Sequence, residues 1–272
     1  MYLTKDAPSV ESLDDLPACT DSREGDLVLL SLLNAVYVCD DGKWEKLDID
    51  DLQESCSSSS SSTEISSSSL EVSHGTFTDS RDGQVYKTVT IGTQTWMAEN
   101  LNYDYNEGSA KSYCYNDKPD SCAKYGRLYL WSAAMDSAGI FGDGGKGCGY
   151  GVECNARVPV RGVCPEGWHL PSDTEWKTLF TAVGGEDVAG TKLKSKSGWY
   201  DDGNGMDTYG FSVLPAGIRN GDYVYAGKDA LFWRSTEGSS LAYYWYFGYD
   251  LEYVASGYND KYYGYSVRCL RD

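Results

Sequence analysis

The C-terminal third of the chain sets aromatic rings beside carboxylates and carboxamides. Tyr223, Tyr225, Trp233, Tyr244, Tyr246, Tyr249, Asp250, Tyr253, Tyr258, Asn259 and Asp260 supply both kinds of group. Saccharide binding needs this combination: ring faces for C–H stacking, and oxygen or amide groups for hydroxyls. A surface rich in Tyr, Ser, Gly and Asn is also how antibody loops recognise proteins. The opposing reading is a Tyr-heavy core with ordinary solvated loops. With 23 Tyr in 272 residues, the surplus exceeds what core filling requires.

Other constellations are weaker. Asp201, Asp202, Asn204 and Asp207 surround glycines in an acidic loop, and oxygen ligands around Gly resemble a calcium loop. The loop lacks the EF-hand order and a bidentate Glu, so a turn is the better reading; no cofactor is expected, with calcium as the alternative. Gly257-Tyr-Asn-Asp260 offers an Asn-Asp pair that alone says little. His169 fits a loop-fixing hydrogen-bonding role better than that of a base. Asp173 and Glu175 fit helix N-terminal charges, favourable against the dipole. No Ser-His-Asp or Cys-His context stands out, and the expectation is that the protein is not an enzyme. A paired-carboxylate glycosidase remains open, because acidic residues occur throughout and their separation is not a sequence property.

The elements that must position these groups begin with the segment 164–185, CPEGWHLPSDTEWKTLFTAVGG. Ser172 and Glu175 form a capping box, so a helix is predicted from Asp173. Trp176, Leu179, Phe180 and Val183 make one apolar face, and Gly184-Gly185 stops it. Trp168 and Leu170 look inward, toward a terminal strand over 263–270 that carries Cys269. A Cys164–Cys269 bond would staple the two. Upstream, Asp82-Gly83 turns between Phe77-Thr78 and a strand over 85–91, and Gln94–Met97 returns as the next arm with Trp96 and Met97 inward. Leu128–Trp131 should lead into a helical stretch over 132–138. Residues 141–157 form a Gly-rich loop, Lys192–Lys194 falls between turns, and short strands are expected over 211–214 and 231–233. The strongest strand signal is 242–249, AYYWYFGY. Its alternation puts Tyr243, Trp245, Phe247 and Tyr249 on one face and Tyr244, Tyr246 and Asp250 on the other. One face should pack the core and the other meet a loop or a ligand.

Nine Cys and two His argue for disulfides rather than zinc sites, and hence for an extracellular or cell-surface location. Cys19 and Cys39 flank a predicted hairpin and are expected to bond. Cys114 with Cys122, and Cys148 with Cys154, are spaced to close local hairpins. Cys56 reads as a lone thiol or an intermolecular bridge. A formal net charge of −18 repels nucleic acid and anionic membranes, and no apolar run is long enough to span a bilayer, so direct membrane insertion is not expected. Three regions follow: residues 1–53 as a small disulfide-stapled β module, 54–72 as a Ser-rich flexible linker, and 73–272 as the main domain.

CPEGWHLPSDTEW, GNGMDTYGFSVLPAGIRNG (203–221) and the ending GYSVRCLRD resemble the Fibrobacter succinogenes major paralogous domain family. GTQTWMAENLNY (92–103) and YGRLYLWSAAMD (125–136) fit it in the same order. The resemblance covers about residues 75–272, and the N-terminal module is similar to short Cys-paired modules that precede such domains. It implies an α+β, C-type-lectin-like domain, related also to formylglycine-generating enzymes. The features expected are short antiparallel strands, one or two helices and long disulfide-tied loops. Those enzymes use a pair of reactive cysteines near the C-terminus, where this chain has only Cys269. The functional expectation is non-catalytic binding of a glycan or polysaccharide. The alternatives are recognition of a surface protein through a diversified Tyr-rich face, as in retroelement-diversified domains of similar fold, or a carbohydrate-active or formylglycine-generating-like enzyme.

Overall fold

The computed structural model describes residues 9–10, 19–20, 27–30, 35–40, 42–46, 72–154 and 156–272. Contacts divide the chain into two units, Met1–Ser66 and Ser67–Asp272. In the first, β1 (Ser9–Val10), β2 (Leu27–Leu30), β3 (Ala35–Asp40) and β4 (Lys43–Lys46) form one sheet in that order, with β1 parallel to β2 and the others antiparallel. Gly42, at φ 77°, turns β3 into β4. Cys19 and Cys39 are bonded, which suits a unit too small to rely on a hydrophobic core. Residues 54–71 of the Ser-rich stretch, Cys56 included, lie outside the described residues.

The second unit is α+β, with three sheets whose named strands pair antiparallel. β5 (Ser73–Thr78), β6 (Val85–Ile91) and β7 (Gln94–Met97) are successive hairpin arms, as their alternation and the Asp82-Gly83 turn require. β8 (Asn106–Glu107) and β9 (Ala110–Tyr113) follow, then α1 (Pro119–Tyr125), β10 (Leu128–Leu130) and α2 (Trp131–Ala134). Cys114 bonds Cys122 on α1, and Cys148 bonds Cys154 within the Gly-rich loop. β11 (Trp168–His169) leads to α3 (Asp173–Ala182) and α4 (Glu186–Leu193). The chain then forms β12 (Ile218–Arg219), β13 (Tyr223–Val224), β14 (Asp229–Gly238), β15 (Leu241–Gly248), β16 (Ala255–Asp260), β17 (Gly264–Tyr265) and β18 (Leu270–Arg271). The sheets run β11-β18-β7-β6-β5, β13-β12-β17-β10-β9-β8 and β14-β15-β16.

α3 is built as its sequence demands. The Ser172 side chain accepts from the Glu175 N–H, and the Glu175 carboxylate accepts from the Ser172 N–H. Trp176, Leu179, Phe180 and Val183 are buried. The Cys164–Cys269 bond is present, and Trp168 and His169 pair with Arg271 and Leu270.

Several expectations are corrected. The described residues hold four α-helices rather than one or two. Leu128–Leu130 is a strand, and the helix after it ends at Ala134. Lys192 and Leu193 close α4 instead of lying between turns. That helix has little apolar periodicity of its own. It seats at Gly190, where a Cβ would meet the Glu252 carbonyl at 2.5 Å. Residues 211–214 make no strand: Ser212 sits at φ 53°, and only Val213 bridges, to Lys194. The terminal strand breaks into β17 and β18 in different sheets, because the buried Arg268 turns inward between them. Its guanidinium binds Asn100 Oδ1 at 2.9 and 3.1 Å, the Ser212 carbonyl at 3.1 Å and the Phe211 carbonyl.

Two apolar clusters fill the second unit. One gathers Tyr86, Met97, Trp131, Trp233 and Tyr265, and the other Val89, Trp96, Trp176, Phe180 and Trp245. The sheet β14-β15-β16 faces both. Leu231, Trp233 and Ala242 belong to the first, with Tyr244 and Tyr246 packed against it, while Ala230, Phe232, Trp245 and Phe247 belong to the second. Both aromatic faces of β15 are therefore packed, and neither is a free ligand face.

Candidate functional site

The groups best arranged to meet a ligand lie where β14 begins and β15 ends, at the paired residues Asp229 and Gly248. The Tyr246 hydroxyl donates to Asp229 Oδ1 at 3.1 Å. Burial, reinforced by the Asp250 charge, raises the Asp229 carboxyl above its usual range, although the Tyr246 hydrogen bond pulls the other way. The same burial, with Asp229 beside it, pushes the Tyr246 phenol up. A Cβ on Gly248 would lie 2.7 Å from Tyr246 Oη and 3.1 Å from Asp250 Oδ1. The missing side chain is what lets the phenol and the second carboxylate draw together.

Outside this polar group stands an aromatic pair. Tyr200 and Tyr249 meet edge to face with ring centres 5.4 Å apart. Lys228 Nζ lies 4.4 Å from the Tyr200 ring centre and 5.9 Å from that of Tyr249. The backbone fixes the pair: the Tyr200 N–H donates to the Gly227 carbonyl at 2.7 Å, and the Tyr249 N–H to the Lys228 carbonyl at 2.8 Å. Beneath it, the buried Lys194 Nζ donates to the carbonyls of Gly248 and Leu251 at 3.0 and 2.8 Å. Burial lowers the Lys194 pKa, against the pull of Asp250 and Glu252. The exposed Tyr200 ring and the half-buried Tyr249 ring beside it, above a clamped turn with carboxylates and an ammonium nearby, can stack on an apolar ring face and exchange hydrogen bonds with hydroxyls.

The structure brings Tyr246, Tyr249 and Asp250 of the predicted set to this place, and Tyr225 adjoins it. The Tyr225 carbonyl accepts from the N–H groups of Lys228 and Asp229 at 2.9 and 3.0 Å, and its ring is 54% exposed. The other members lie elsewhere. Trp233 is 0% exposed, its indole donating to the Tyr129 carbonyl at 2.7 Å, so it is core and not surface. Tyr244 leans on Tyr265 and Trp233. Tyr223 packs on Tyr115 in the sheet that carries β13, with Arg219 nearby. Tyr253 lies on the loop whose carbonyls meet Gly190 of α4. Tyr258 is 63% exposed and contacts Tyr243. Asn259 donates to the Tyr265 hydroxyl at 2.9 Å. Leu241 pairs with Asp260 and Tyr246 with Ala255, so Asn259 and Asp260 sit at the far end of β15, roughly 20 Å from the platform at about 3.4 Å per residue.

The acidic loop is a turn. Asp201, Asp202 and Asp207 all have positive φ. Asn204 Oδ1 accepts from the Trp199 N–H at 3.1 Å, and Asp207 Oδ1 from the Ser212 N–H at 2.7 Å. Gly203 lies directly on the Tyr249 carbonyl, where a Cβ would come within 2.1 Å, and so ties the loop to the platform. Among the described residues, no group of three or more His, Cys, Asp and Glu is placed to hold a metal ion.

Sequence reasoning missed Tyr200, Lys228 and Asp229. Tyr200 precedes the acidic pair Asp201-Asp202, and Lys228-Asp229 follows Gly227. Charge and aromaticity beside glycine turns were the only available signals. His169, by contrast, is spanned by two carboxylates: Nδ1 lies 2.7 Å from Asp272 Oδ1, and Nε2 lies 2.9 Å from Glu175 Oε1. No helix of the described residues is long and apolar enough to cross a membrane.

A family model described as the Fibrobacter succinogenes major domain matches residues 89–271, a span running from within β6 to the end of β18. No curated protein and no solved structure matches the chain.

Proposed function

The chain belongs to the Fibrobacter succinogenes major domain family, and from that premise we propose that it is an exported, non-catalytic binding protein of C-type-lectin-like fold whose ligand is a glycan. The observation that carries this reading is the pair of the exposed Tyr200 and the half-buried Tyr249, with Lys228 beside both rings and Asp229, Tyr246 and Asp250 in the adjoining turn. The rings take the C–H face of a pyranose. The carboxylates accept from its hydroxyls, and the ammonium donates to its oxygens. Four disulfides support an oxidising compartment outside the cytosol.

The test is titration of the protein with neutral plant and microbial oligosaccharides, with calcium and with chelator. Tyr249→Ala should weaken the best ligand by about tenfold, or ~1.4 kcal/mol, and Tyr258→Ala should leave it unchanged. Chelator should have no effect. Unaltered affinity in both Tyr200→Ala and Tyr249→Ala would remove the platform from the account.

Protein recognition is the second reading. It is favoured by an exposed cluster at the opposite end of β15, where Tyr150 stands edge to face with Tyr262 at 5.6 Å and Tyr262 contacts Tyr263 at 4.8 Å. Capture of a surface protein that is lost in Tyr150→Ala but kept in Tyr249→Ala would favour this reading.

A further inference from the structure

On the face of the sheet β11-β18-β7-β6-β5 away from α3 lies a cleft of about 200 Å³. Its wall is aromatic: Phe77 and Trp168 meet with ring centres 5.2 Å apart. Thr76, Thr88 and Thr95 line it, the Thr95 hydroxyl shared with that of Thr90 at 2.9 Å, and Glu166 and Arg271 complete the lining. Gly75 packs closely over the buried Thr88, where a Cβ would approach the Thr88 hydroxyl to 3.1 Å. Glu166 and Arg271 are both exposed. Although they share the cleft, they do not pair, and among the described residues neither has an ion-pair partner.

The frame is rigid. Trp168 and Arg271 are cross-strand partners, the Asp272 N–H donates to the Gly167 carbonyl at 3.0 Å, and the His169 ring is held to the Asp272 carboxylate just beyond β18. The cleft is smaller than the ~300–1,000 Å³ of drug-sized pockets, so it suits one small molecule. A net charge of −18 disfavours a polyanion. A ligand carrying both signs feels no such repulsion and answers both unpaired charges.

We propose that this cleft binds a small zwitterion, an α-amino acid. Its carboxylate takes the Arg271 fork, its ammonium is shared by Glu166 and the Thr95 hydroxyl, and its side chain lies on the half-buried Phe77. A guanidinium binds a carboxylate bidentately, while an ammonium donates to a carboxylate and to a hydroxyl oxygen. This site is separate from the Tyr200–Tyr249 platform and does not depend on its ligand.

The full chain is titrated with L-leucine, N-acetyl-L-leucine, L-leucinamide and glucose, followed by calorimetry and by tryptophan fluorescence. Leucine should bind, with affinity falling at least tenfold for each derivative that lacks one charge. Arg271→Gln and Glu166→Gln should each weaken leucine at least tenfold. Both residues are exposed, and unchanged circular dichroism and melting would show that the variants fold. The proposal is overturned if leucine fails to bind at millimolar concentration, if its N-acetyl or amide derivative binds equally well, if glucose competes with it, or if both variants retain full affinity.

Discussion

His169 is the residue whose protonation the surrounding structure controls most directly. Burial alone would lower its pKa, but the hydrogen bonds its ring donates to the Glu175 and Asp272 carboxylates outweigh it and raise the pKa above the ordinary 6.5. Glu175 is half-buried, and His169 and Ser172 hold its carboxyl down to about 2. A raised histidine contributes stability that is complete below the unfolded value and is lost as pH rises through the folded one. A depressed glutamate contributes stability that is complete above its unfolded value, 4.5, and is lost as pH falls through about 2. Both contributions are therefore whole between about 4.5 and 6.5. Urea unfolding should show the midpoint declining above that window, and His169→Gln should flatten the decline at a cost of about 1–2 kcal/mol near pH 6. An unchanged pH profile in the variant would remove His169 from the account. The loop-fixing role of His169 was legible from its place in GWHLPS. Its second carboxylate was not, because Asp272 reaches it only after β11 and β18 pair. The same holds for Arg268, whose burial pulls its pKa down to about 9 against the charges of Asp207 and Glu99. Nothing local in GYSVRCLRD says that its partners are carbonyls of Phe211 and Ser212.

Among the elements, α3 and its staple are the most deeply tied into the fold. The helix was readable because capping box, apolar stripe and Gly-Gly stop all act within a few residues of one another. The Cys164–Cys269 bond closes a separation of 105 residues, and it joins the loop before β11 to the segment before β18. Cys164→Ala with Cys269→Ala should lower unfolding stability by about 2–5 kcal/mol, read from urea midpoints under non-reducing conditions. A variant as stable as the parent would show that strand pairing alone suffices. α1 carried a weaker signal, a Pro at its start and a Gly at φ 73° at its end, which is the asymmetry expected of helix termini. α4 carried almost none. Its polar sequence becomes a helix because Gly190 allows close approach to the carbonyls of Glu252 and Tyr253, a contact made by distant residues.

Contacts divide the molecule into two units, each with its own internal pairing. A chain beginning at Ser67 should therefore melt at the same temperature as the full chain, measured by calorimetry. A lower transition would show that the N-terminal unit supports the second. Within the second unit, β15 makes plain what alternation can and cannot report. The period of two sorted its side chains into two faces correctly. It could not say what covered each, and two separate cores do so. The sequence by its own patterns settled the hairpins from β5 to β7, the start and stop of α3 and the cysteine-tied loops, because each rests on interactions between near neighbours or on residue chemistry; the α+β class came from the family resemblance. Tertiary structure alone decided that Trp233 is core, that Asn259 and Asp260 stand far from Tyr249, and that Tyr200 stands beside it. Those placements depend on strand register and on close backbone approach at Gly203 and Gly248, and long-range closure has no local signature in a chain of residues.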